Sequence, residues 1–156
     1  MTIAVTGHRN IVIDDKLIEE VNAFFVQMLK EYKSITLLSA LADGADQLVA
    51  NYALKHQNID LEVPLPMEKE AYLETLINKE NFLNLLQEAK SSYIIVKRCE
   101  NPYENLGHYL IDNSDVLLAL WDGTHNGKKG GTSDVVSSAK SQNHTVEHII
   151  STRKHN

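Results

Sequence analysis

Apolar positions along this chain switch repeatedly between two rhythms. Residues 2–6 (Thr-Ile-Ala-Val-Thr) form a short apolar run stopped by Gly7, the pattern of a strand buried on both faces. Leu17, Ile18, Val21, Phe24, Phe25, Met28 and Leu29 then recur at steps of three and four, the wide stripe of an amphipathic helix that Asp14 or Asp15 can cap. Residues 34–41 read as a second strand, and residues 44–56 as a helix with Ala45, Leu48, Val49, Tyr52 and Ala53 on one face and Asp43 as its cap. A third strand over residues 61–65 closes at Pro64 and Pro66, because proline has no N–H to give to a ladder. Helical stretches over residues 68–77 and 80–90 precede a fourth strand at 93–97 and a short helix near 106–113. Residues 116–121 are the most apolar run and read as a central strand. A loop over residues 122–131 leads to a helix from Ser133 to about residue 142, with Asn143 at its C′ position. A last strand covers residues 145–150, and residues 153–156 read as a loose tail.

Strand and helix therefore alternate throughout. That order predicts one domain over residues 1–152, an α/β Rossmann-like three-layer α/β/α sandwich around a mainly parallel sheet of about six strands. Right-handed crossovers put every strand-to-helix loop on the same edge of such a sheet, where ligands bind. With 156 residues the chain is long enough to bury a core without disulfides, and Cys99, its single cysteine, cannot form one within the chain. A reducing compartment, the cytoplasm, is the expectation. No apolar run approaches the ~20 residues of a membrane span, and no basic stretch precedes a long apolar one at the start. The net charge of −6 argues against broad, sequence-independent binding to nucleic acid. It leaves room for a small anion, since a few local donors outweigh a distant, screened charge.

Three of those loops carry residues suited to such an anion. In the first, Gly7 makes the turn out of the strand, Arg9 offers forked donors that match phosphate oxygens, and His8 stands between them. In the second, Ser39 ends a strand, Gly44 permits close backbone approach, and Asp46 in the first helical turn can accept from ribose hydroxyls or from a loop N–H. The third is the strongest phosphate candidate: Gly130 and Gly131 are adjacent, and Thr132 can cap the helix and present its hydroxyl, with Lys128 and Lys129 upstream. Asp122-Gly123 ends the Trp121 strand; it is either an Asp-Gly turn or a group that orients ligand or water. No metal and no resident cofactor is called for. His144-Thr145-Val146-Glu147-His148 has the residue order of inverted zinc peptidases, but in a strand its two histidines stand roughly 13 Å apart, too far to share an ion.

Together these segments resemble the SLOG superfamily, Rossmann-like domains that include the cytokinin-activating LOG enzymes, the DNA-processing protein A core and bacterial nucleotide-sensor domains. Leu37 to Asp46 is similar to the Ser-Gly-x-Ala-x-Gly-Ile-Asp segment of DNA-processing protein A, and Val5-Thr6-Gly7-His8-Arg9 to its Val-Gly-x-Arg turn. Gly130-Gly131-Thr132-Ser133-Asp134 resembles the phosphate loop of LOG-type proteins. Small bacterial members that combine all three segments are the nearest likeness. The resemblance implies a nucleotide or nucleotide-derived phosphorylated ligand at the C-terminal edge of the sheet, bound in a sensor-like role, and a homodimer. It also implies an alternative, N-glycosidic hydrolysis of a nucleoside monophosphate by a phosphoribohydrolase. For that reaction Asp134, Asp122 or Asp46 would orient water or stabilise the ribose cation. The LOG glutamate falls three residues past the loop threonine, where this chain has Val135; Asp134 is one position early, a rotation of roughly 100° on a helix. A third reading is a single-stranded-DNA module, against which the acidic charge and the lack of an aromatic, basic strip both count.

Overall fold

In a computed structural model that describes residues 1–154, every apolar run becomes a strand and every periodic stretch a helix. The order is β1 (Thr2–Gly7), α1 (Asp15–Glu31), β2 (Ile35–Leu38), α2 (Ala45–Ala53), β3 (Ile59–Leu65), α3 (Lys69–Glu74), α4 (Lys79–Glu88), β4 (Ser91–Ile94), α5 (Pro102–Asp112), β5 (Val116–Trp121), α6 (Thr132–Ser141) and β6 (Thr145–Ile150). The six strands form one sheet in the order β4-β3-β2-β1-β5-β6, and every pairing is parallel. The chain builds outward from β1 to β4, returns through α5, and lays β5 and β6 on the other side of β1. Right-handed crossovers then place α1 to α4 on one face and α5 and α6 on the other.

Strict alternation in the central strands feeds two cores. Ile3 and Val5 of β1 pack with Val21, Phe25, Val49 and Phe82 on the α1–α4 face. Ala4 between them faces Leu110, Ile111, Val135 and Ala139 of α5 and α6. All of β5 is buried, as a strand covered by helices on both sides must be. Each fully buried aliphatic side chain contributes about 1.5–3 kcal/mol relative to exposure.

Local signals set most element ends. Asp14 caps α1, its Oδ1 accepting the Leu17 N–H at 2.9 Å. Asn143 sits at φ 56 with the Asn143 N–H on the Lys140 carbonyl and the His144 N–H on the Ala139 carbonyl, a Schellman end to α6. Several expectations need correction, and β4 covers Ser91–Ile94 where residues 93–97 were expected. α5 starts at Pro102, four residues before the short helix the apolar spacing indicates, because the Asn101 Oδ1 accepts from Tyr103 and Glu104 N–H and Pro102 fits the first turn. Asp43 does not cap α2; its carboxylate takes the Ile77 and Asn78 N–H groups at 2.9 Å and so fixes the start of α4 instead. Pro64 does not end β3 but stays in register opposite Tyr93. Arg153 and Lys154 are not a loose tail: Arg153 bridges Ile11 and the Lys154 N–H donates to the Asn10 carbonyl at 2.7 Å. Residues 155 and 156, the rest of that tail, lie outside the described residues. No described helix is long and apolar enough to cross a membrane.

Candidate functional site

Strand order reverses between β1 and β5, and a parallel sheet leaves a crevice beyond the carboxyl ends of two such strands. A cavity of about 520 Å³ occupies that place. Val5, Thr6 and Gly7 of β1 line it, joined by His8 and Arg9 from the loop before α1 and Asp46 from α2. Tyr72 of α3, Tyr103 of α5, the run from Lys128 to Thr132 and Arg153 also line it. The first and third loops meet here, and the second contributes Asp46.

Close packing explains the glycines. A Cβ on Gly7 would stand 2.3 Å from the Ala45 Cβ and 2.8 Å from the Leu120 carbonyl oxygen, so only glycine lets β1 lie against both α2 and β5. Gly44 has φ 75 and ψ −117, and a Cβ there would meet the Arg9 and His8 carbonyl oxygens at 2.3 and 2.5 Å. The Ala45 N–H donates to the His8 carbonyl at 3.1 Å, which clasps the first loop to the start of α2. Gly44 therefore holds the site together and does not line it. Ser39, an expected ligand contact, is also displaced from that role: it is fully buried and its Oγ accepts the Leu41 N–H at 3.1 Å. Gly130, at φ 77, comes so close to α5 that a Cβ would lie 2.5 Å from the Glu104 nitrogen.

Arg9 reaches across the cavity. Its Nη1 donates to the Thr75 carbonyl at 3.0 Å, and its guanidinium carbon stands 5.5 Å from the Tyr103 ring centre and 6.0 Å from that of Tyr72. Both distances are within reach of cation–π attraction. Asp46 is 8% exposed, and its Oδ2 accepts the Ala42 N–H at 3.2 Å. Burial pushes this carboxyl up to about 7, against the opposing pull of the Ala42 hydrogen bond and the Arg9 charge. Burial likewise lifts the Tyr72 hydroxyl well above the ordinary phenol range, with the Asp46 charge adding to it.

His8 and Asp122 form a second unit at the rim. The His8 Nε2 accepts the Asp122 N–H at 3.1 Å and lies 3.2 Å from the Asp122 Oδ1. Burial lowers the His8 pKa even though Asp122 pulls the other way. Asp122 shows the opposite balance. Burial alone would raise its pKa, but hydrogen bonds from the Thr124 N–H (3.0 Å) and hydroxyl (2.7 Å), the nearby His8 and the Arg153 Nε (2.8 Å) hold it below the usual carboxylate range. Asp122 is thus a turn and clasp residue outside the cavity wall.

At the third loop Gly131 is the N-cap of α6 and no side chain caps the helix, so Thr132 is its first residue and not its cap. Among the described residues the N–H groups of Thr132, Ser133 and Asp134 donate to no protein acceptor. They are the free donors that suit an anion. Asp134, with Asp122 one of the two expected catalytic acids, takes the Gly130 N–H on Oδ2 at 2.9 Å and stays outside the cavity wall. The zinc-like histidines, His144 just before β6 and His148 within it, have separate partners, the Ser114 hydroxyl and the Trp121 carbonyl. Among the wall residues that sequence reasoning missed are Tyr72, Tyr103 and Arg153. Tyr103 had a signal, the Asn101-Pro102 helix start; Tyr72 and Arg153 had none.

An all-parallel sheet in this order, with its crevice beside the first strand, defines a Rossmann-like α/β protein. No family model and no curated protein matches the sequence. Among solved structures, the chain is similar to DNA processing protein A from Helicobacter pylori, a structure that describes single-stranded DNA binding by that protein. The likeness has a TM-score of 0.63 at 14% identity and covers 95% of this chain and 64% of that one, so this chain spans just under two thirds of that protein. It is also similar to the Moco carrier protein from Chlamydomonas reinhardtii, with a TM-score of 0.58 at 17% identity over 95% of this chain and 75% of that one. At such identities the likeness shows the shared fold.

Proposed function

We propose that this protein binds a nucleotide or nucleotide-derived phosphorylated ligand in the cavity between β1 and β5, in a sensor-like role. One observation carries the reading: Arg9, Asp46 and Thr132, the first residue of α6, from three distant stretches of sequence, line a single 520 Å³ space. The N-terminus of α6 with Lys128 and Lys129 suits the phosphate. Tyr72 and Tyr103 suit a planar base, and Asp46 suits ribose hydroxyls. Similarity in fold to proteins that bind single-stranded DNA and the molybdenum cofactor is consistent with this. The test is thermal denaturation across a panel of nucleoside mono-, di- and cyclic phosphates. A ligand at 100 times its Kd adds about 2.7 kcal/mol, which for a chain of this size raises Tm by roughly 5–10 °C. Arg9→Ala removes that gain. A panel that leaves the wild-type Tm unmoved refutes the proposal. Homodimerisation is a separate proposal, and sedimentation equilibrium measures it.

A second reading has its own observation. Asp46 is the one carboxyl on the cavity wall, and its burial suits a general acid near neutral pH. In N-glycosidic hydrolysis it would protonate the departing base while water adds at the ribose C1′. Asp134 and Asp122, the other acids weighed for it, do not line the cavity. Incubation with nucleoside monophosphates should release free base in the wild type and much less in Asp46→Asn. No base from the wild type removes this reading and leaves the binding proposal standing.

A further inference from the structure

The chain does not leave the molecule after β6. The Ser151 N–H donates to the Trp121 carbonyl at 3.1 Å, the Val12 N–H to the Thr152 carbonyl at 2.8 Å and the Lys154 N–H to the Asn10 carbonyl at 2.7 Å. These bonds bring Arg153 to the wall of the cavity. Its Nε donates to the Asp122 Oδ2 at 2.8 Å, and among the described residues its two Nη groups have no partner. Asp122 is itself gripped by the Thr124 N–H and hydroxyl. The side chain is 39% exposed, where an arginine ordinarily keeps its rotamer freedom, yet here one edge of its fork is fixed and the other is free. That free edge matches a pair of phosphate oxygens.

We propose that Arg153 is a ligand-binding residue and that, with Arg9, Lys128 and Lys129, it makes the cavity selective for two linked phosphates over one. The inference rests on the reading that the cavity binds a phosphorylated ligand. These four cations come from three separate segments of a chain whose net charge is −6, and among the described residues Asp46 is the only carboxylate lining the cavity. Burial of Asp46 disfavours its charged form, so it subtracts less than a full charge from that positive field near neutral pH. A monophosphate brings at most two negative charges and one cluster of oxygens, which α6 and its two lysines already satisfy. A diphosphate brings a third charge and a second cluster, for which the Arg153 fork supplies donors. Asp122 acts through Arg153 as a positioning residue.

Isothermal titration of the full chain with inorganic phosphate and with inorganic pyrophosphate, at low ionic strength, tests this without knowledge of the rest of the ligand. The wild type should bind pyrophosphate at least tenfold more tightly than phosphate. Arg153→Gln should lose pyrophosphate affinity at least fivefold more than phosphate affinity, with circular dichroism confirming the fold. If that variant folds poorly, Arg153→Lys, which keeps the charge and loses the fork, should still narrow the preference at least threefold. Equal affinity for the two anions in the wild type, or an undiminished preference in a folded variant, overturns the role of Arg153 and leaves the binding reading intact. Failure of both anions to bind the wild type sinks that reading and this inference together.

Discussion

Replacing Gly44 with alanine tests how the site is assembled, because its cost has two separable sources. The first is conformational: φ 75 with ψ −117 lies outside the left-handed helical region and belongs to glycine, which costs other residues about 1–3 kcal/mol. The second is crowding. The new Cβ would stand 2.3 and 2.5 Å from the Arg9 and His8 carbonyl oxygens, which are backbone atoms that cannot swing aside. Relief requires the first loop to move off α2, at a further cost of about 1–3 kcal/mol. The sum, about 2–6 kcal/mol, is a large share of the roughly 5–15 kcal/mol of a typical domain. For a chain of this length it lowers Tm by about 5–20 °C. Gly123 provides the control, since it has φ 87 but nothing within 4 Å of an added Cβ. Gly123→Ala should carry the conformational cost alone, about 1–2 kcal/mol. Differential scanning calorimetry of both variants separates the two sources. A Gly44→Ala melt no lower than that of Gly123→Ala would refute the claim that the first and second loops are wedged together.

Three other measurements follow from the same contacts. The Asp46 carboxyl, near 3.8 unfolded and about 7 folded, keeps its proton in the native state while the denatured state ionises. Its contribution is therefore fully present below pH 4 and is lost as pH rises to about 7, so Asp46→Asn should gain on wild type by a few kcal/mol (order of magnitude) between pH 4 and 8; parallel pH profiles in urea melts contradict this. Asp122 has the reverse sign: its lowered pKa gives stability above pH 4 that is lost as pH falls below that value, and Asp122→Asn should cost about 1–3 kcal/mol at pH 7 through the Arg153, Thr124 and His8 contacts. An unchanged chemical-denaturation midpoint counts against it. Asn143→Gly should stabilise by up to about 1 kcal/mol, because φ 56 costs asparagine and not glycine; a lower Tm argues that the asparagine side chain contributes more than its backbone strain removes.

The alternation of strand and helix, the parallel sheet and most core positions were legible in the sequence, because they follow from period-two and period-3.6 patterns that one segment carries by itself. Element ends went astray where a distant partner decided them. Asp43 looks like a local cap, but α4 presents it with two N–H groups from over thirty residues away. The site divides in the same way. Gly7, His8, Arg9, Asp46, Gly130, Gly131 and Thr132 do gather at one cavity, as loops on one sheet edge must. Ser39, Gly44, Asp122 and Asp134 carry the right chemistry and point it at the backbone around the site. Tyr72 and Arg153 lie in unremarkable sequence, and only the path of the chain brings them to the wall.

That division separates two kinds of residue by the kind of damage they can do. At Gly7, Gly44 and Gly130 an added Cβ would meet neighbouring elements at under 3 Å, so changing them alters stability and the shape of the cavity together. Arg9, Lys128 and Arg153 project from those loops with their charged ends exposed or partly exposed, and each is free to change ligand preference without taking a core contact away. A frame set by backbone crowding and a rim of replaceable cations is a device for changing specificity cheaply in a constant fold. The discriminating chemistry of this chain is therefore to be sought in Arg9, Asp46, Tyr72, Tyr103 and Arg153, where its own side chains meet the cavity, and not in the glycine loops that make the cavity possible.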